Sequence, residues 1–168
     1  EYGIYVVAEA NIESHGMGYG EKTLARNPLY AKAHLERNER NVIRSINHPS
    51  VIIWSLGNEA GDGPNFDACY DWIKAFDPSR PVQYEQASYH KDYNTDIVCP
   101  MYWSYEQCEK YLAENPAKPL IQCEYAHAMG NSMGGFKEYW DMTRREPKYQ
   151  GGFIWDFADQ ALAWRSPE

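Results

Sequence analysis

The sequence predicts an α/β fold of the TIM (β/α)8 barrel type, and three observations carry that prediction. Six short apolar runs recur along the 168 residues. Helical patterns fill most of the intervals between them. A group of polar and ionisable residues follows each run.

The apolar runs are Ile4–Val7, Val51–Leu56, Val82–Tyr84, Ile97–Cys99, Leu120–Cys123 and Phe153–Trp155, each bounded by Gly, Pro or polar residues. Runs that are continuous rather than alternating read as strands covered on both faces, the habit of parallel sheets. The first helical pattern opens at Asn27-Pro28, a capping residue with Pro behind it, and runs to about Ile46. The second covers Asn65 to Phe76 and stops at Asp77-Pro78. The third covers Tyr105 to Glu114 and the fourth Gly135 to Arg145, each closed by a proline two residues on. Between Tyr84 and Ile97 there is little room for a crossover helix, so a loop with at most one helical turn is expected there.

Glu9, Asn11, Glu13 and His15 follow the first run, Asn58 and Glu59 the second, and Glu85 the third. Tyr102 follows the fourth, Glu124 and His127 the fifth, and Asp156 the sixth. In a barrel such strand ends converge on one mouth. A doubly wound sheet would concentrate them at its switch point instead. A full barrel has eight units, so two are expected to lie outside this segment. Glu1-Tyr2-Gly3 leads straight into a run and Arg165-Ser166-Pro167-Glu168 stops just after one, as cuts through a longer protein would.

Composition narrows the function. Sixteen Lys and Arg against twenty-four Asp and Glu give a net charge of −8, which disfavours nucleic acid and anionic membranes as partners. The basic residues between Lys32 and Arg44 are interleaved with Glu36 and Glu39, as on a solvated helix face. No apolar run reaches the ~18 residues of a membrane span. Cys69, Cys99, Cys108 and Cys123 form no CxxC pair and read as free thiols, which fits a reducing compartment. The 15% aromatic content suits a sugar-binding cleft, but composition alone favours a large aromatic core.

Strand-end carboxylates can cleave glycosides. A retaining enzyme sets a nucleophile and an acid/base about 5–5.5 Å apart across the bond. The candidates are Glu9, Glu13, Glu59, Glu85, Glu124 and Asp156, and position alone does not choose among them. Structural ion pairing accounts for a single such residue nearly as well. His127 alone reads as a core histidine, Trp155 as a core aromatic, and Glu13-x-His15 as a polar loop.

Four segments resolve these choices by resemblance. Asn47-His48-Pro49-Ser50-Val51-Ile52-Ile53-Trp54-Ser55-Leu56-Gly57-Asn58-Glu59 closely resembles the acid/base signature of glycoside hydrolase family 2. Cys123-Glu124-Tyr125-Ala126-His127-Ala128-Met129-Gly130-Asn131 resembles the nucleophile region of its large bacterial β-galactosidases. So do Glu9-Ala10-Asn11-Ile12-Glu13-Ser14-His15-Gly16 and Gly151-Gly152-Phe153-Ile154-Trp155-Asp156. The resemblance runs end to end in the family's order. It implies that these are barrel strands three to eight, with the first two units and all flanking β domains outside the segment. It also implies a retaining hydrolase of terminal β-D-galactosides such as lactose, acting through a covalent galactosyl-enzyme.

By that resemblance Glu59 is the acid/base and Glu124 the nucleophile. Glu59 must be protonated when bond breaking starts. Tyr102 is expected to hydrogen-bond Glu124, Asn58 to contact the sugar 2-hydroxyl, His127 to bind a sugar hydroxyl, and Trp155 to form a platform under the ring. Glu13 and His15, with Glu59, are the expected ligands of Mg²⁺, with Mn²⁺ also compatible with an imidazole ligand. A monovalent cation has no assignable ligand in this segment. Ala8 departs from the pattern, standing where Asp is more usual, which puts the hydrogen bonding of the metal loop in question. The resemblance implies a bacterial homo-oligomer, cytoplasmic or periplasmic, with the cytoplasm favoured. The competing readings are a family relative acting on β-glucuronides or β-mannosides, and an inactive segment that binds sugar weakly or associates with its missing half.

Overall fold

A computed structural model describes residues 2–90, 93–130, 132–158 and 161–166. Its strands are β1 (Val6–Glu9), β2 (Val51–Ser55), β3 (Val82–Gln83), β4 (Leu120–Tyr125) and β5 (Tyr149–Ile154). Its α-helices are α1 (Ala31–Ser45), α2 (Pro64–Phe76), α3 (Glu85–His90), α4 (Tyr105–Ala113) and α5 (Phe136–Arg145). β1, β2 and β3 pair in parallel in chain order, as do β4 and β5. Parallel bridges from Gln83 to Ile97, Val98 to Leu120 and Met101 to Glu124 join the two sheets. All six apolar runs thus lie side by side in sequence order, as in a barrel wall. No helix among the described residues is long and apolar enough to cross a membrane.

Two layers of core follow from the two faces of this wall. Trp54, Leu56, Val82 and Tyr84 face α1 and α2, packing with Val42, Phe66, Cys69 and Ile73. Val98, Leu120 and Tyr149 pack with Cys108 of α4 and Met142 of α5. Ile53, Ile97 and Cys99 form a second, inner set with Val7, Ile121 and Cys123. Period-two alternation separates Ile53 from Trp54 and Ile97 from Val98. The four cysteines are free.

Polar side chains fasten the helices to the strands. The Asn27 side chain caps the 3-10 turn Pro28–Tyr30 that feeds α1. From α1, Asn38 donates to the Leu56 carbonyl (3.2 Å) and Asn41 to the Ala8 carbonyl (3.0 Å). A reciprocal capping box between Ser104 and Gln107 starts α4. At the amino ends of the strands Asp77 is nearly buried. It accepts from the Trp54 indole (2.9 Å), Arg80 Nη1 (2.7 Å), the Ser79 N–H (3.1 Å) and the Ser79 hydroxyl. Arg80 continues to the Val51 and Ile46 carbonyls (2.8 and 3.0 Å), its guanidinium 5.2 Å from the Trp54 ring.

Four expectations need correction. The first strand lies two residues later than expected, because Ile4 and Tyr5, 70% and 74% exposed, have no neighbouring strand among the described residues. The run Ile97–Cys99 makes isolated bridges rather than a continuous strand. Side chains intercept its ladder: Asp96 accepts the Val82 N–H (2.9 Å), and Thr95 Oγ1 accepts those of Tyr84 (3.2 Å) and Ile97 (3.3 Å). The interval expected to be a loop with at most one helical turn contains the longer, six-residue helix α3. It packs over the strand ends, its Ser88 and Tyr89 hydroxyls accepting the N–H groups of Cys99 (2.9 Å) and Met101 (3.0 Å). The last strand begins at Tyr149 rather than Phe153. The Gly151-Gly152 pair reads as a boundary, yet both lie inside the strand; Gly152 is there to let the Tyr125 ring approach, since a Cβ would sit 2.8 Å from it.

Candidate active site

All eight residues singled out for function line one cavity of about 940 Å³ at the carboxyl ends of the strands: Glu13, His15, Asn58, Glu59, Tyr102, Glu124, His127 and Trp155. Glu9, Glu85 and Asp156 line it too. Convergence therefore holds for every carboxylate candidate, and their surroundings tell them apart.

Two of the six are committed to the protein itself. Glu9 Oε2 accepts from the Ser55 hydroxyl at 2.7 Å. Burial raises its carboxyl, against the pull of that bond, and the charges of Glu13 and Glu124 add to the rise. Glu85 accepts the Glu59 N–H at 2.7 Å and the Gln86 amide at 2.6 Å. Burial pushes it up to about 7, helped by the charges of Glu59 and Glu124 and opposed by those two bonds.

Glu59 and Glu124 are half-buried and turned to the open cavity. Glu59 follows β2 in left-handed conformation, φ 42°. Its backbone approach is fixed by the Asn58 N–H, which donates to the Ile12 carbonyl at 2.8 Å, and by a parallel bridge between Glu13 and Asn58. Its Oε2 lies 3.1 Å from His15 Nδ1 and its Oε1 accepts from the Tyr19 hydroxyl at 3.2 Å. Tyr19 also stacks on His15, ring centres 5.7 Å apart.

Glu124 reaches the cavity through an irregularity in β4. Gln122 bonds to the Tyr149 hydroxyl, and Tyr125 packs edge-on against Tyr139, both on the helix side. Strict alternation would send Glu124 the same way. The pairing register shifts between Gln122 and Tyr125, and Cys123 and Glu124 both line the cavity. This is the re-aiming that a β-bulge produces. The Tyr102 hydroxyl donates to Glu124 Oε2 at 2.5 Å, and the Tyr102 N–H to the Glu124 carbonyl at 2.8 Å. Burial raises the Glu124 carboxyl; the Tyr102 bond opposes this, the charges of Glu59 and Glu13 reinforce it, and His127 opposes it. The Tyr102 phenol is itself pushed well above its ordinary range by burial and by Glu124.

His127 stacks on Trp155 with ring centres 5.1 Å apart and meets Tyr102 edge-on at 5.8 Å. The Ala128 N–H to the Trp155 carbonyl (2.8 Å) and the Trp155 N–H to the Tyr125 carbonyl (3.2 Å) tie these loops together. The Trp155–Asp156 peptide is cis. Asn131, which closes the Cys123–Asn131 motif, lies outside the described residues.

Glu13, His15 and Glu59 each offer one ligand atom, and the three atoms lie within 4.8 Å of one another. Two carboxylates and an imidazole fit a divalent cation that accepts oxygen and nitrogen ligands. Where Asp is more usual, Ala8 packs against the outer core. The loop beyond it is held instead by the Ala10 N–H on the Ser55 carbonyl (3.0 Å) and by the Ile12–Asn58 bond.

Sequence reasoning missed Tyr19, an isolated aromatic in a loop whose path no motif reveals. It counted Glu85 as a candidate but not as the acceptor of the Glu59 N–H.

The fold and the mouth define an α/β chain of the TIM-barrel class with an acidic site at the carboxyl ends of its parallel strands. Comparison gives the family: residues 1–168 match "Glycosyl hydrolases family 2, TIM barrel domain", and the chain belongs to that family. It is 51% identical to a β-galactosidase of Alteromonas mediterranea over 96% of its length, and 51% identical to a β-galactosidase of Aeromonas hydrophila subsp. hydrophila over 95%. It spans only 16% and 17% of those proteins. Among solved structures it resembles the β-D-glucuronidase of Dictyoglomus thermophilum (TM-score 0.66, 24% identity, 98% of this chain and 36% of that one). It also resembles the β-glucuronidase of Bifidobacterium dentium complexed with coumarin-3-O-glucuronide (TM-score 0.62, 25% identity, 82% and 29%).

Proposed function

We propose that the protein carrying this chain is a retaining β-galactosidase that hydrolyses terminal β-D-galactosides such as lactose by double displacement. The observation that carries this is the pair Glu59 and Glu124 at one cavity, each held by its own hydrogen-bond donors. Glu124 attacks the anomeric carbon as Glu59 protonates the departing oxygen. Glu59 then removes a proton from water, which displaces Glu124 from the sugar. Tyr102 holds Glu124 ionised and aimed, Asn58 contacts the 2-hydroxyl, His127 a further hydroxyl, and Trp155 lies under the ring.

A divalent cation, Mg²⁺ or Mn²⁺, is assigned to Glu13, His15 and Glu59. When bound it would supply fixed positive charge beside the acid/base carboxylate. The six strand segments are assigned to barrel units three to eight, with the first two units and the flanking β domains outside residues 1–168. The assembled enzyme is proposed to be a cytoplasmic homo-oligomer.

A neutral sugar is favoured over a glucuronide by charge. The described lining includes six carboxyl groups and no Lys or Arg, so it offers a substrate carboxylate no Lys or Arg to pair with. The β-galactosidase relatives match at 51% identity. Rates on matched aryl galactoside, glucuronide and mannoside test the assignment; it fails if the galactoside is the slowest. Mechanism-based labelling is expected to mark Glu124, and label on Glu85 would overturn the roles. The isolated segment is expected to show little turnover.

A further inference from the structure

We propose that Glu85 is a positioning residue for Glu59, its carboxyl oxygen fixing the turn that aims the Glu59 side chain into the cavity. The inference rests on Glu59 being the acid/base.

Glu59 adopts φ 42°, a region that non-glycine residues enter only when their surroundings hold them there. Three supports are visible. From the loop after β1, the Ile12 carbonyl takes the Asn58 N–H at 2.8 Å. Beyond the turn, the Thr23 hydroxyl donates to the Ala60 carbonyl (2.7 Å) and the Tyr84 hydroxyl to the Gly61 carbonyl (2.5 Å). Between them, the N–H of Glu59 itself goes to Glu85 Oε1 at 2.7 Å.

Glu85 is only 2% exposed. Burying a carboxylate is costly without compensating bonds, and its two donors are the Glu59 N–H and the Gln86 amide. The carboxyl oxygen is thus placed where it pins one backbone group of the neighbouring strand end. Without it the Glu59 N–H loses its acceptor, the left-handed turn loses its middle support, and the side chain is free to leave His15 and Tyr19. A group that acts this way fails selectively. It weakens proton donation to a departing oxygen, which matters for a poor leaving group and hardly at all for an activated one.

The test compares Glu85→Ala, Glu85→Gln and Glu59→Gln in the intact protein, on lactose and on an activated aryl β-galactoside. Rates are normalised to the active sites labelled by a 2-deoxy-2-fluoro-galactosyl reagent, so misfolded molecules do not count. Glu85→Ala is expected to lower kcat/KM on lactose by about 10–100-fold while changing the activated substrate less than about threefold. Glu85→Gln keeps an oxygen acceptor for the Glu59 N–H and is expected to restore most of the lactose rate. Equal losses on both substrates, an unchanged lactose rate in Glu85→Ala, or a Gln variant as slow as Ala would each overturn the proposal. If Glu59→Gln itself shows no leaving-group dependence, the acid/base reading fails and takes the inference with it. If Glu59→Gln shows it and Glu85→Ala does not, the inference alone fails.

Discussion

Replacing Asp77 by Asn tests how the amino-terminal end of the strands is held, far from the cavity. Asp77 gathers donors from Trp54, Ser79 and Arg80. Burial alone would raise its carboxyl, but the bonds from Ser79, Arg80 and Trp54 more than reverse that and hold it down to about 2, against an ordinary 3.8. Fully expressed, such a shift is worth about 2.5 kcal/mol. The Arg80 side chain is 19% exposed, so solvent screening reduces the figure to about 1–2 kcal/mol. A folded pKa below the unfolded one stabilises above pH 3.8 and loses that contribution as pH falls towards 2. At neutral pH Asp77→Asn is therefore expected to cost about 1–2 kcal/mol, roughly 2–8 °C in Tm for a unit of this size. The gap between wild type and variant should close between pH 4 and pH 2. Thermal unfolding followed by tryptophan fluorescence reads this directly, because the Trp54 indole is one of the donors. A gap that stays constant down to pH 2 would refute the electrostatic reasoning; no gap at neutral pH would refute the network's role altogether.

Other predictions concern the site. Gly152→Ala places a methyl 2.8 Å from the Tyr125 ring; it is expected to cost about 1–3 kcal/mol and to slow glycosyl-enzyme formation, since Glu124 adjoins Tyr125, and a wild-type Tm would refute it. Tyr102→Phe removes a hydrogen bond to the Glu124 carboxylate, worth about 1.5–3 kcal/mol to a charged group, so pre-steady-state labelling of Glu124 should slow roughly 10–100-fold. Glu13→Gln is expected to weaken Mg²⁺ binding, titrated calorimetrically, by more than the roughly 10–100-fold that loss of an outer-sphere partner costs; unchanged affinity would remove Glu13 from the ligand set. Tyr19→Phe keeps the stack on His15 but loses the bond to Glu59, and should alter lactose turnover more than binding.

The wall of the fold was legible because buried parallel strands write themselves as apolar runs, and all six runs line up in order. Their edges were not. Thr95 and Asp96 divert ladder hydrogen bonds into side chains, and Gly152 serves a close approach to an aromatic ring from another strand. Neither leaves a periodic trace. The site residues were found by extended motifs, and the cavity gathers every one. Tyr19 and the Glu85–Glu59 bond escaped for a common reason. Each depends on where a loop turns, at a φ of 42° for Glu59, and a residue's identity does not announce a left-handed backbone unless it is glycine.

The acidic lining has a consequence for reactivity. With no Lys or Arg among the described lining, the carboxylates that stay ionised on the proposed function, Glu124 first among them, set a negative potential, strengthened where low-dielectric walls keep water out. A neutral galactoside gains little from such a field. The sugar ring gains much once positive charge builds on its anomeric carbon and ring oxygen, as it does in an oxocarbenium-like transition state. The field is in place before the reaction starts and needs no rearrangement. On the proposed function, its preference for the transition state over the substrate follows from the placement of the carboxylates. By the same logic a sugar mimic with a protonated ring nitrogen should bind more tightly than its neutral counterpart, and lose that advantage as pH rises through the amine's own pKa.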